Sequence, residues 1–153
     1  MSEADDLLAE YDAVLAKVDA SVDALARKAG DALACERGCS QCCVAGLSVL
    51  TVELASIGRF LQTHEVEPAP PPGGCLFLDE EGACTIYPAR PLVCRTQGLA
   101  IRYREVPDVE RHVRTLPVVG AGEVTACQLN YTERAPAADE VLVAAQDPHG
   151  AGT

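Results

Sequence analysis

The chain lacks the large side chains that usually dominate a protein core. Its 153 residues include no tryptophan, two phenylalanines, four tyrosines and one methionine, although 48% of the residues are hydrophobic. The apolar content is therefore mostly Ala, Val and Leu, which build helices and a light core. A light core gains stability from a cross-link, and a bound metal is one such cross-link. The length suits one domain with an appendage.

Positive charge is also scarce in this sequence. Twelve Lys and Arg residues stand against 23 Asp and Glu residues, for a formal net charge of −11. An acidic surface repels nucleic-acid phosphates and anionic lipid headgroups, so we expect neither nucleic acid nor a membrane as a partner. The acidic residues form no long run, which is typical of solvated faces.

Features of export are missing as well. The N-terminus, Met-Ser-Glu-Ala-Asp-Asp, is acidic and lacks the basic and apolar regions of a signal peptide. No uncharged apolar run approaches the ~20 residues that span a bilayer. We therefore expect a cytoplasmic protein, in a reducing compartment where dense cysteine indicates metal or redox chemistry. A disulfide framework in an exported protein is the alternative.

Cysteine is what the chain has in abundance. Four of the eight cysteines fall within nine residues, Cys35-Glu-Arg-Gly-Cys39-Ser-Gln-Cys42-Cys43. Thiolates bind soft and borderline metal ions, and sequence-adjacent thiols on a turn-prone segment suit a metal better than a core. The predicted metal ligands are Cys35, Cys39, Cys42, Cys43, Cys75, Cys84, Cys94 and Cys127. We expect the later cysteines of the 75–94 segment to converge on the first group and complete its site.

The spacing of the first group bears on the metal. The two-residue gap between Cys39 and Cys42 lets one turn present two sulfurs to a common centre, whereas the successive side chains of Cys42 and Cys43 are expected to diverge. Structural zinc commonly takes two close pairs, and only one such pair is present. Iron–sulfur clusters tolerate wider spacing, so the pattern slightly favours an iron–sulfur cluster over Zn²⁺. Copper is a weaker third candidate, because no methionine array supports it.

The N-terminal segment predicts one long amphipathic helix over residues 3–34. Apolar residues recur there at alternating steps of three and four, as in a heptad seam. The seam positions are Leu8, Tyr11, Leu15, Val18, Val22, Leu25, Ala29 and Ala32. A helix of ~45 Å must pack along a partner, in this chain or in a second copy. A homodimer or a partner protein contacting this helix is therefore a second expected partner besides the metal ion.

Shorter elements follow the cysteine group. The pattern predicts a helix from Thr51 to about Thr63 and a β-hairpin over Cys75–Tyr87 with its turn at Asp79–Gly82. A short helical piece after Pro91 and a strand over 99–106 are predicted next. Two further helices are predicted, one opened by Pro107 that carries Val113 and Leu116, and a last one over Pro136–Gln146. Together these elements predict a small, cysteine-rich α+β fold with a metal-centred core. We divide it into an N-terminal helix (1–34), a metal-binding domain (35–127) and a C-terminal helix and tail (128–153).

A string around the later cysteines is more specific than any single cysteine pair. It reads Gly82-Ala-Cys84-Thr-Ile-Tyr-Pro-Ala-Arg90-Pro91-Leu-Val-Cys94-Arg95 and follows Cys75-Leu-Phe-Leu. With the first cysteine group, it resembles the YkgJ-type cysteine-cluster proteins over residues 35 to 95. The resemblance implies a zinc- or iron-chelating domain, often labelled an iron–sulfur oxidoreductase without a defined reaction. The long N-terminal helix lies outside the residues that carry this resemblance.

Two arginines of this string are candidate cofactor-binding residues. Arg90 and Arg95 could stabilise the negative charge of a thiolate-bound centre through their N–H donors. The alternative for both is a structural salt bridge with the acidic hairpin turn. No Ser/His/Asp set or phosphate-binding glycine loop is present, so catalysis would depend on the metal alone. We expect a metal-binding protein for electron transfer, metal handling or sensing; a structural zinc module for protein interaction and an iron–sulfur oxidoreductase are the alternatives.

Overall fold

The computed structural model describes residues 2–102, 113–118 and 122–143. The α-helices are α1 (Glu3–Ala29), α2 (Thr51–Leu61) and α3 (Leu92–Thr96). The strands are β1 (Ala100–Arg102), β2 (Val113–Val118), β3 (Gly122–Cys127) and β4 (Val141–Val143). The predicted small α+β fold with a long N-terminal helix is confirmed.

The described residues form two compact units. The first unit contains residues 2–23 and 35–97, and it holds α2, α3 and most of α1. The second unit contains residues 24–34 and the described residues from 98 onward, including the whole β-sheet. The division of the chain into segments 1–34, 35–127 and 128–153 stays a prediction.

Helix α1 ends five residues earlier than its heptad pattern predicts. Acidic residues fill its first turn and Arg27 and Lys28 its last turn, so both ends complement the helix dipole. Gly30 then adopts a φ of +53°, a left-handed conformation that ends an α-helix, and a single 3-10 turn follows. On the seam, Leu15 and Ala29 are buried within this single chain. A second copy of the helix is therefore not needed to cover these two positions.

The predicted hairpin of the first unit is present in a reduced form. Its turn is confirmed, because Gly82 N–H donates to the Asp79 carbonyl (3.1 Å) and the Asp79 carboxylate accepts from the Ala83 N–H (2.8 Å). The pairing of the two arms is a single antiparallel bridge between Leu78 and Cys84. Short arms of this kind depend on their surroundings for stability, since an isolated two-stranded hairpin is marginal.

The second unit is built on a four-stranded sheet with the order β2-β3-β1-β4. Strand β3 pairs antiparallel with β2 and β1, and β4 runs parallel to β1. Pro117 lies in β2, an edge strand, which is where a strand tolerates proline. Small side chains dominate the core on this sheet: Ala29, Ala100, Val118, Val124, Ala126 and Tyr131.

Two predicted helices are wrong where the structure describes them. Val113 and Leu116, predicted to be helical, lie in strand β2. The start of that predicted helix, residues 107–112, lies outside the described ranges. The predicted helix over Pro136–Gln146 is instead a 3-10 turn at Ala138–Glu140 followed by β4, and its residues beyond 143 lie outside the described ranges. In both places, β-branched residues gain ladder partners from β1 or β3, which outweighs a weak helical pattern.

Candidate metal centre

Two tight turns fold the first cysteine group into a compact loop. The Cys39 N–H donates to the Glu36 carbonyl (3.0 Å), and the Cys43 N–H donates to the Ser40 carbonyl (2.9 Å). Gly38, inside the first turn, has a φ of +88°. Such values favour glycine because a side chain would be strained there. The loop therefore keeps its four cysteines close together without regular secondary structure.

The backbone of this loop is paired with the hairpin segment. The Cys75 N–H donates to the Cys43 carbonyl (2.9 Å), and the Ala45 N–H donates to the Gly73 carbonyl (3.1 Å). An antiparallel bridge joins Val44 to Gly74 between them. This pairing places Cys75 beside Cys43, although the two residues are 32 positions apart in the chain.

Two glycines allow the hairpin turn to approach the first cysteine loop. Gly82 has a φ of +77°, and a Cβ built on it would lie 3.2 Å from the Gly38 carbonyl oxygen. A Cβ on Gly38 would in turn lie 3.4 Å from the Glu81 carbonyl oxygen. The close contact thus depends on the absence of a side chain at Gly82, whereas a Cβ at Gly38 would make an ordinary van der Waals contact and it is the positive φ that favours glycine there.

Cys94 is brought to the site by the short helix α3. Pro91 precedes this helix, and the backbone N–H of Leu92 donates to the Glu53 carboxylate (2.9 Å). The Cys94 N–H closes the first turn on the Pro91 carbonyl (3.0 Å). The position of Cys94 is therefore set partly by a carboxylate on α2.

Glu53 connects three helices of the first unit: α1, α2 and α3. The sequence pattern does not identify it as a residue that positions the site. Its side chain is only 5% exposed, and it also accepts from the Leu50 N–H (2.6 Å) and from the Tyr11 hydroxyl (3.3 Å). Burial, followed by the charge of Glu53, raises the pKa of Tyr11 to about 12. The only sequence signal was an acidic residue in the first turn of α2, which does not reveal its distant partners.

Seven of the eight cysteines line a single cavity of about 1050 Å³, here called the cysteine cavity. They come from the first loop, the hairpin and α3: Cys35, Cys39, Cys42, Cys43, Cys75, Cys84 and Cys94. The eighth, Cys127, ends strand β3 in the second unit, where it is buried. It is not among the described residues that line the cavity.

The thiols within the cavity interact electrostatically. The hydrogen bond from Cys43 lowers the pKa of Cys42 to about 6, and the same contact raises the pKa of Cys43. Cys42 and Cys43 both line the cysteine cavity, and the divergence of their side chains stays a prediction.

Burial and the charges of neighbouring thiolates raise the pKa values of two further cavity cysteines, Cys84 and Cys94. Burial, and then the neighbouring charge of Cys75, raises the pKa of Cys94 to about 11, and the pKa of Cys84 rises for the same reasons. A cation bound among these thiolates would remove that repulsion.

Arg90 and Arg95 occupy different places. Arg90 lines the cavity, its guanidinium carbon lies 3.5 Å from the centre of the Tyr87 ring, and its charge lowers the pKa of Cys42 after the larger effect of the Cys43 hydrogen bond. The Arg95 side chain is 5% exposed and lies outside the lining. It pairs with Asp19 of α1 (2.5 Å) and donates to the carbonyls of Arg90 (2.8 Å) and Pro88 (2.7 Å). Its acidic partner is thus on the N-terminal helix and not in the hairpin turn.

The residues fit a thiophilic metal by donor type, although their arrangement is not that of a loaded site. Sulfur donors, a nearby guanidinium and an apolar wall suit zinc, copper(I) or an iron–sulfur cluster. Among the residues that the structure describes, no three Cys, His, Asp or Glu side chains stand together as a ready-made metal site. The ligand role of the seven cavity cysteines, and cofactor contact by Arg90 or Arg95, stay predictions. We do not expect the same role for Cys127, which is not among the described lining residues.

The fold and the cavity together define a small cysteine-cluster protein whose thiols come from three separate segments of the chain. Residues 34–115 match the model of the CxxCxxCC family, described as "Putative zinc- or iron-chelating domain". This match covers more than half of the chain, so the chain belongs to that family. The expected resemblance is confirmed, and metal binding of zinc or iron fits it.

Neither a curated protein nor a solved structure matches the chain. Within the described ranges, no helix combines the length and the apolar character of a membrane-spanning segment.

Proposed function

We propose that the chain binds iron or zinc through thiolates in the cysteine cavity, with an iron–sulfur cluster as the favoured group. One observation carries the proposal: cysteines from three separate segments line one cavity, and their ionised forms repel each other there. Repulsion of this kind is unfavourable in the metal-free protein and is relieved by a cation.

The number and spacing of the thiols support an iron–sulfur cluster over a single structural zinc ion. Zinc in a structural site takes four ligands, usually as two close pairs. Seven cysteines line the cavity, and they are spread irregularly from Cys35 to Cys94. An iron–sulfur cluster also takes four thiolates but tolerates irregular spacing, and it would supply one-electron chemistry. Electron transfer is therefore the role we favour, ahead of metal handling or sensing.

Metal analysis of the anaerobically purified protein tests this proposal. We expect iron and acid-labile sulfide in matching amounts, together with visible absorption that bleaches on reduction. One zinc ion in a colourless, redox-silent protein would replace the iron–sulfur proposal with a structural zinc site. A metal-free protein that folds fully after replacement of all eight cysteines by serine would contradict metal binding altogether.

A further inference from the structure

The helix that carries Cys94 is too short to hold itself in place. Helix α3 has five residues, Leu92–Thr96, and isolated helices shorter than about 12–15 residues are marginal in water. Its position must therefore come from contacts with the rest of the first unit. Because Cys94 lies in the middle of α3, the contacts that fix this helix also fix the thiol in the cysteine cavity.

Two buried charged residues hold α3 in position. The Glu53 carboxylate accepts from the Leu92 N–H at the start of the helix (2.9 Å). The Arg95 guanidinium, within the helix, donates to the carbonyls of Arg90 (2.8 Å) and Pro88 (2.7 Å), which precede the helix in the chain. Both charged residues are buried, so water competes little for these hydrogen bonds.

Helix α1 contacts both of these charged residues from one face. The Tyr11 hydroxyl donates to the Glu53 carboxylate oxygen that also accepts from α3 (3.3 Å), and the Asp19 carboxylate pairs with Arg95 (2.5 Å). Tyr11, Leu15 and Asp19 follow each other at steps of four residues, which places them on one side of the helix. Leu15, between the two polar residues, is buried. This face of α1 therefore reaches α3 through Glu53 and directly through Arg95.

We propose that α1 positions a ligand of the metal centre, although this helix precedes the part of the chain that matches the family. Tyr11 and Asp19 are positioning residues: they fix Glu53 and Arg95, and these two residues fix α3 with Cys94. The inference rests on the proposed thiolate site, in which Cys94 is a ligand. Loss of outer residues that orient a ligand typically lowers metal affinity by about 10–100-fold, so α1 contributes to metal retention without contacting the metal.

The double variant Tyr11→Phe/Asp19→Asn removes both contacts from α1 and leaves the residues around Cys94 unchanged. In the metal-free, reduced full-length protein, brief alkylation with iodoacetamide followed by peptide mass spectrometry compares Cys94 with Cys39, a thiol of the first loop that is also half-buried. We expect the ratio of the Cys94 rate to the Cys39 rate to rise several-fold, because α3 opens more often. General unfolding would expose both thiols and leave this ratio unchanged.

Metal loss from the loaded protein gives a second readout. Loss of iron or zinc to excess chelator should be about tenfold faster in the double variant than in wild type. Asp12→Asn is the matched control, because the Asp12 side chain is about as exposed as that of Asp19 (48% and 44%) but pairs with Arg59 of α2 instead of a residue of α3. Asp19→Glu keeps the carboxylate and should lose metal at close to the wild-type rate. Asp19→Asn alone, compared with Asp12→Asn, repeats the test in a more stable background.

The outcomes separate this inference from the proposed function. A double variant with the wild-type alkylation ratio, or with the wild-type rate of metal loss, overturns the inference alone. The inference is likewise overturned if Asp12→Asn acts as strongly as Asp19→Asn. A wild-type protein that binds neither iron nor zinc, but whose alkylation ratio responds to the double variant, overturns the proposed function and leaves the positioning of Cys94 by α1 in place.

Discussion

Replacing Glu53 by alanine should destabilise the protein by about 3 kcal/mol. The buried carboxylate accepts from the backbone N–H groups of Leu50 and Leu92 and from the Tyr11 hydroxyl. A buried donor left without its acceptor costs about 1–3 kcal/mol. We count about 1.5 kcal/mol, from the lower part of this range, for each of the two backbone donors, because their bonds to Glu53 are partly buried; the Tyr11 hydroxyl can turn to water and is not counted. A loss of ~3 kcal/mol is a large share of a typical stability of about 5–15 kcal/mol.

Equilibrium urea unfolding followed by far-ultraviolet circular dichroism measures this loss, since the chain has no tryptophan. Tyr11→Phe should cost about 1 kcal/mol alone and close to nothing in the Glu53→Ala background, because its partner is then already absent. Glu67→Ala, in the exposed loop after α2, is the matched control and should change the stability by less than about 0.5 kcal/mol. A Glu53→Ala variant as stable as the control would refute the role of this carboxylate, as would equal effects of Tyr11→Phe in both backgrounds.

Three further perturbations follow from the same contacts. Arg95→Ala should lower the free energy of unfolding in urea by about 2–4 kcal/mol, because it leaves two carbonyls without a donor. Asp19→Asn should lower it by less than about 1 kcal/mol, because Asp19 is partly exposed. Equal effects of the two variants would contradict this order. The Arg134 hydrogen bond lowers the pKa of Glu140 below its ordinary value of 4.5. Wild type should therefore be more stable than Glu140→Gln above pH 4.5 and lose this advantage as the pH falls through the lowered pKa. A difference in unfolding free energy that stays constant down to about pH 3 would exclude this contribution of Glu140. Gly82→Ala should destabilise the protein more than Gly46→Ala, because both have positive φ but only Gly82 would contact another backbone; similar unfolding midpoints would argue against the close approach.

The fold was predictable from the sequence where local chemistry decides the structure. The heptad seam predicts α1, although it places the end of the helix five residues too late, and the acidic, glycine-terminated turn at Asp79–Gly82 is present as expected. The predictions fail where pairing with a distant strand decides the secondary structure. Val113 and Val141 look helical in their local patterns, but each lies in a strand whose ladder partners are distant in the chain.

The candidate site was predictable in its composition and not in its connections. The sequence identifies the cysteines, and the expected grouping of the 75–94 segment with the first loop matches the residues that line the cavity. It does not reveal that Cys127 lies in the second unit, because the spacing of the cysteines does not indicate that this residue ends strand β3. Tyr11 and Asp19, the α1 partners of Glu53 and Arg95, lie more than 40 residues from them in the chain, so no local pattern can indicate these contacts.

The proposed metal binding depends most directly on the cavity cysteines being the ligands. Anaerobic metal analysis of Cys75→Ser beside Cys127→Ser tests this dependence, since Cys75 lines the cavity and Cys127 is buried in strand β3. We predict that Cys75→Ser loses most of its iron or zinc, whereas Cys127→Ser retains the wild-type content. Full metal content in Cys75→Ser, or its loss in a folded Cys127→Ser variant, would contradict the account.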